Sequence, residues 1–167
     1  LNLHLSTLDT NLKYDVMISY FPKQKDLSTS MRLLMITDCD KNRFLPVFKF
    51  TPGRLSISDK KQDIKMNRII RKDIWRQLPT TRAFQYKVRV HQGKYGIDLL
   101  LRSWKPPLPV NESGKAPFGA GFSYYYSLPR LKVAGSLIID GKRMPVIGIG
   151  WIDHQFGDFL EKEKKET

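Results

Sequence analysis

Residues 84–91 read FQYKVRVH, and this short stretch decides the fold. Phe84, Tyr86, Val88 and Val90 alternate with Gln85, Lys87, Arg89 and His91. A period of two places one set on each side of an extended chain, as in a half-buried antiparallel strand. The same alternation runs outward in both directions. Tyr14, Val16, Ile18 and Tyr20 oppose Lys13, Asp15, Met17 and Ser19, and Ile97, Leu99 and Leu101 repeat the pattern. So do Leu131, Val133, Gly135, Leu137 and Ile139. Turn-forming residues fall between the runs at Asp9-Thr10-Asn11, Asp40-Lys41-Asn42, Thr51-Pro52-Gly53, Gln92-Gly93-Lys94 and Asp140-Gly141. About eight to ten strands, many joined as neighbouring hairpins, are expected to form a meandering sheet closed into a barrel or sandwich.

Two stretches read differently. Across 60–78, Ile70, Ile74 and Leu78 have helical spacing, while Ile69-Ile70 and Ile74-Trp75 fit two short strands; strands are the preferred expectation. From Ser103 to Gly121, four prolines and several glycines predict a long loop across one end of the barrel. The tail 160–167 balances three Glu against three Lys and reads as a linker after a single domain at 1–159.

Composition narrows the class. With 41% hydrophobic residues, nine Phe, seven Tyr and three Trp, the chain can build a globular core. No apolar run approaches the roughly 18–20 residues a membrane-spanning helix needs. Leu1-Asn2-Leu3-His4 carries neither an initiator Met nor a signal-peptide pattern, so a start further upstream is expected and the compartment, export included, stays open. Cys39 is alone, which excludes an internal disulfide framework and a cysteine zinc site. The three histidines lack metal-ligand spacing, and no metal or other cofactor is expected. Of the net charge of +13, residues 54–94 carry +9, from twelve Lys/Arg against three Asp. That balance suits an anionic membrane surface or an acidic partner, although solvated outer strand faces are the simpler and preferred reading. A nucleic-acid partner is not expected, because the aromatic residues lie on apolar faces rather than among the basic ones.

Chemistry concentrates near the C-terminus. In GFSYYYSLPRLKVAGSLIIDGK, residues 121–142, Tyr124 and Tyr126 share a face and Tyr125 takes the other. Each ring joins an apolar body to a polar tip, suited to a hydrocarbon ligand with a few oxygens or to a satisfied core. Pro129-Arg130 is expected to break the strand. In GIGWIDHQFGDF, residues 148–159, alternation sets Trp151 and Asp153 on one side and His154 on the other. If the Trp151 side is inward, Asp153 is desolvated and held protonated, a candidate general acid for an alkene or carbonyl. The same residues also suit a strand end whose polar groups cap the backbone. Gly148 and Gly150 leave room for close packing or for a ligand.

The run YYYSLPRLKVAGSL (124–137), Asp140-Gly141-Lys142 and GIGWIDHQFG (148–157) together resemble the carotenoid 1,2-hydratase (hydroxyneurosporene synthase) and lipocalin-like family, which includes proteins once labelled predicted secreted hydrolases. The resemblance is close over 121–157 and looser before it. It implies an all-β, antiparallel lipocalin-like (calycin) barrel around an apolar cavity, matching the N-terminal unit of proteins that pair two such barrels. It further implies Asp153 as the proton source, with Trp151 and Tyr124, Tyr125 and Tyr126 steadying a cationic intermediate. Arg130 and His154 would orient the reactants. Phe156 departs from the family, where Trp is more usual. Two functions follow as expectations. One is binding of a hydrophobic small molecule such as a lipid, polyene or polyketide. The alternative is a hydratase, isomerase or cyclase using a protonated Asp153. A second lipocalin-like domain and an anionic membrane surface met through residues 54–94 are the further partners expected.

Overall fold

The computed structural model describes residues 1–22, 30–45, 47, 49–57, 64–67, 72–80, 84–118 and 121–158. All regular structure among them is strand. The chain begins with β1 (Asn2–Thr7), β2 (Lys13–Phe21), β3 (Ser30–Asp38), β4 (Arg43–Phe44) and β5 (Lys49–Ile57). It continues through β6 (Ile64–Asn67), β7 (Lys72–Leu78), β8 (Gln85–Gln92) and β9 (Tyr95–Ser103). After β10 (Leu108–Pro109) and β11 (Lys115–Phe118) come two long strands, β12 (Gly121–Ile139) and β13 (Lys142–Asp158).

Every pairing is antiparallel. The order β12-β13-β1-β2-β3-β5-β6-β7-β8-β9 returns to β12 through the β9–β12 ladder, where Ser103 meets Leu131 and Gly96 meets Ile138. The sheet thereby closes on itself and leaves the wall no open edge. Ten of the thirteen strands form this ring, while β4, β10 and β11 lie off it against β3 and β12.

The turns explain the tight meander. Asp140 (φ 52°) and Gly141 (φ 82°) both adopt the left-handed conformation a two-residue hairpin requires. Asn11, Asn42 and Gly93 also have positive φ at the turns expected from sequence. Thr51-Pro52-Gly53 does not form a turn. It lies inside β5, where the strand exchanges partners: Lys49 to Gly53 pair with β3, and Arg54 to Ile57 pair with β6. A proline lacks the ladder N–H and is tolerated where pairing changes hands. The expected loop at 103–121 contains two short strands, β10 and β11, laid along the first half of β12. Of the 60–78 segment, β6 and β7 are strands, while Ile69 and Ile70 fall outside the described residues, as does the tail 160–167.

Alternation fixes inside and outside. Leu3, Leu5, Tyr14, Val16, Ile18, Val88, Val90, Ile97, Leu99 and Leu101 fill the interior. Lysines and arginines stud the exterior of many strands, the reverse of a membrane-spanning barrel with its polar lumen and apolar band. No helix among the described residues is long and apolar enough to cross a membrane. The interior also holds Arg32, with no exposed surface, 3.4 Å from Asp73 and 2.6 Å from the side-chain oxygen of Gln92. A buried charge pair of this kind ties β3 to the far wall, and removing one partner is costlier than the pair is favourable.

Candidate functional site

The β12–β13 hairpin is longer than the barrel is tall. Its first half runs on past the β9 ladder, so residues 121–128 and 152–158 pair with each other and only with β10 and β11 beyond. Between the halves, Leu128 opposes Ile152 while Leu131 opposes Gly150, so Pro129-Arg130 inserts one extra residue. The strand is bulged, not broken as expected from the proline. The bulge shifts the inward face from odd residues (Leu131, Val133, Leu137) to even ones (Leu128, Tyr126). Without it, Tyr126 would share the outer face with Lys132 and Ala134. Along β13 the even residues face inward throughout, from Met144 and Val146 to Ile152 and His154.

Tyr126 and His154 therefore stand opposite each other across the ladder, with Tyr126 Oη 2.9 Å from His154 Nδ1 and their rings edge to face at 5.1 Å. Phe156 lies 5.1 Å from His154, and Tyr124 stacks on Phe156 at 5.5 Å. Tyr126 packs against an interior that includes Trp75 from β7, Tyr86 from β8 and Tyr20 from β2. Trp75 sits edge-on to Tyr20 at 6.3 Å and to Tyr86 at 6.4 Å. It is only 4% exposed, and its indole N–H has no hydrogen-bond acceptor among the described residues.

Burial sets the protonation states. It lowers the His154 pKa below its ordinary value, so the imidazole is neutral near pH 7. It raises the Tyr126 and Tyr86 hydroxyls, the latter further because Tyr126 is close, so both rings keep their protons. In the tautomer in which the Tyr126 hydroxyl donates to Nδ1, the other imidazole nitrogen carries the hydrogen and is a donor for an incoming oxygen.

The outer face holds a separate group. Asp153 is exposed, and its Oδ1 accepts hydrogen bonds from Tyr125 Oη at 2.9 Å and Ser127 Oγ at 2.7 Å. Trp151 packs beside His4 at 5.6 Å, and His4 in turn contacts Asp15 at 2.6 Å. Arg130 lies over the Trp104 ring at 5.2 Å. Of the residues singled out from sequence, Tyr124, Tyr126 and His154 come together on the inner face. Tyr125, Arg130, Trp151 and Asp153 do not join them. The inward, desolvated Asp153 considered above is corrected: its strand face is the outer one. Nor do Gly148 and Gly150 open space for a ligand. A Cβ at Gly148 would collide with the His4 carbonyl oxygen, and one at Gly150 would lie 2.6 Å from that of Asn2. The glycines let β13 press against β1. Tyr86 and Tyr20 were legible as inward residues of their own strands and Trp75 only as part of a short one, but alternation carries no information about which strands face each other across a barrel. No group of three or more potential metal ligands occurs among the described residues.

Comparison with solved structures places the fold. A crystal structure assigned to AttH from Nitrosomonas europaea superposes with a TM-score of 0.71 at 19% identity, covering 92% of this chain and 48% of that one. Kievitone hydratase from Nectria haematococca superposes with a TM-score of 0.73 at 14% identity, covering 94% of this chain and 46% of that one. The chain thus spans slightly under half the length of either protein. No match was found among curated proteins. The profile of the AttH-like family matches residues 22–167, nearly the whole chain, and the protein belongs to that family.

Proposed function

We propose that this chain is a lipocalin-like module that binds a hydrophobic small molecule bearing a few oxygens, of lipid, polyene or polyketide type. The ligand's polar end would sit among Trp75, Tyr86, Tyr126 and His154, and its hydrocarbon part against the aliphatic interior. The observation carrying this reading is the Trp75 indole N–H, buried without an acceptor among the described residues in a wall shared with Tyr86. An unmet buried donor costs about 1–3 kcal/mol, which a ligand oxygen would recover. Aromatic walls with a few convergent donors are the usual lining of such sites.

A second reading makes the same region a hydratase site, favoured by the fold shared with kievitone hydratase and by the family resemblance to carotenoid 1,2-hydratase. Adding water to an isolated double bond requires a strong proton donor. Among the described residues, the groups beside Tyr126 and His154 are a neutral imidazole and weakly acidic phenols, the buried Asp73 carboxyl is engaged by Arg32, and Asp153 lies outside. Binding is therefore the better-supported function, with a second lipocalin-like unit as the proposed partner wherever catalysis occurs.

Native mass spectrometry of the purified chain, followed by organic extraction, tests the reading directly. A retained lipid, polyene or polyketide supports it, as does saturable uptake of a fluorescent fatty-acid probe that Trp75→Phe or Tyr126→Phe weakens by about fivefold to tenfold. An empty protein that takes up no probe refutes it.

A further inference from the structure

On the outside of the barrel, β8, β9, β12 and β13 carry a face the ligand site does not use. Leu100, Ala134 and Ile147 lie side by side in one row across β9, β12 and β13, and Arg102, Lys132 and Ile149 form the next. Leu100 is 55% exposed, Ile149 54% and Trp104, just beyond β9, 60%. Arg102 and Lys132 stand directly opposite on neighbouring strands, a like-charge pair that disfavours the sheet. Arg130 and Lys132 also share the Trp104 ring, Lys132 Nζ lying 3.8 Å from its centre. The nearest acid in the adjoining row, Asp98, is already paired with Arg89 at 2.9 Å. Local rules are broken here in a consistent direction: exposed apolar side chains and cations with no ion-pair partner among the described residues occupy the same rows.

We propose that this face docks on an anionic bilayer surface. A free anion would answer the charges but leave the leucine, isoleucines and tryptophan in water. A lipid interface offers negative headgroups and an apolar layer together, and tryptophan with lysine and arginine is the combination that settles there. The docking surface differs from the basic segment 54–94 as a whole, since Arg54 belongs to β5, across the ring from β12.

The test is co-sedimentation of the purified chain with vesicles of equal parts phosphatidylcholine and phosphatidylserine, against vesicles of phosphatidylcholine alone. Binding only to the anionic vesicles is expected, released by salt as screening shortens from about 10 Å at 0.1 M to about 3 Å at 1 M. Lys132→Glu and Trp104→Ala, both at exposed positions, should each weaken binding roughly tenfold, and Arg54→Glu should change it little. Circular dichroism would show that each variant keeps its sheet. The proposal fails if the chain binds neither vesicle, binds both alike, or loses as much with Arg54→Glu as with Lys132→Glu. It also fails if the face proves covered by a second copy, seen as a dimer that Trp104→Ala dissociates.

Discussion

The two halves of the β12–β13 hairpin are built by the same two strands and do opposite work. The half nearest the Asp140-Gly141 turn is flanked on both sides, by β9 and by β1, so its hydrogen bonds are completed within the barrel wall. Its inward residues are aliphatic or glycine and closely packed. The half nearest Gly121 and Asp158 has ring strands on neither flank beyond its own ladder; past the fully buried Leu128 and Ile152, its inward-side residues are aromatic or polar and partly buried or exposed. A single bulge at Pro129-Arg130 separates wall from presentation surface. Substitutions in the first half should therefore be read out in stability, and those in the second in binding.

The largest effect expected is from Gly148→Val. Its side chain would enter the β1 backbone at His4, forcing β13 away from β1 at a cost of about 3 kcal/mol. A urea midpoint close to that of the parent chain would contradict the close approach. His154→Phe acts on the other half. It keeps a ring of similar size but removes the partner of Tyr126, so stability should change by no more than about 1 kcal/mol while probe affinity falls about tenfold. Equal affinity in this variant would separate the open end of the hairpin from the ligand site and undo the contrast.

A smaller effect lies in pH. Burial holds the folded-state pKa of His154 below its ordinary 6.5, so the unfolded chain takes up this proton first as pH falls. Above about pH 6.5 His154 is neutral in both states and its contribution is fully present. It is lost progressively as pH falls through the folded-state value, so stability rises with pH across that window. Urea midpoints between about pH 7.5 and 5 should slope in this direction, and His154→Gln should flatten the slope. An unchanged slope would assign the dependence to other groups.

The same division explains what the sequence could and could not disclose. Strand identity, inward faces and most turns were legible because alternation and turn residues are local signals: Tyr14 to Tyr20 and Ile97 to Leu101 lie as their spacing demands. Asp153 and His154 were legible as residues of opposite faces. Which face was inward was not, because that depends on Ile147 and Ile149, two isoleucines that the barrel leaves half exposed on its outside. Nor could the sequence show that Pro129 sits in a bulge. Proline and a change of alternating set from Tyr126 to Leu131 fit a bulge and a broken strand equally, and only the continuous ladder to β13 decides. Trp75 and Tyr86 required knowledge of the ring order, a property of the whole chain rather than of any window.

Asp153→Asn should have the smallest effect, and it tests the comparison most finely. Asparagine retains a side-chain oxygen able to accept from Tyr125 and Ser127, and the site is exposed, so stability should stay within about 0.5 kcal/mol. Because the side chain points away from Tyr126 and His154, probe affinity should not change. Should the chain, alone or joined to a second lipocalin-like unit, hydrate an alkene, the variant becomes decisive. Lost turnover with intact binding would mean that substrate reaches the outer face of the hairpin and that catalysis and the inner aromatic site are separate. Unchanged turnover would remove Asp153 as the acid and assign the proton to another group.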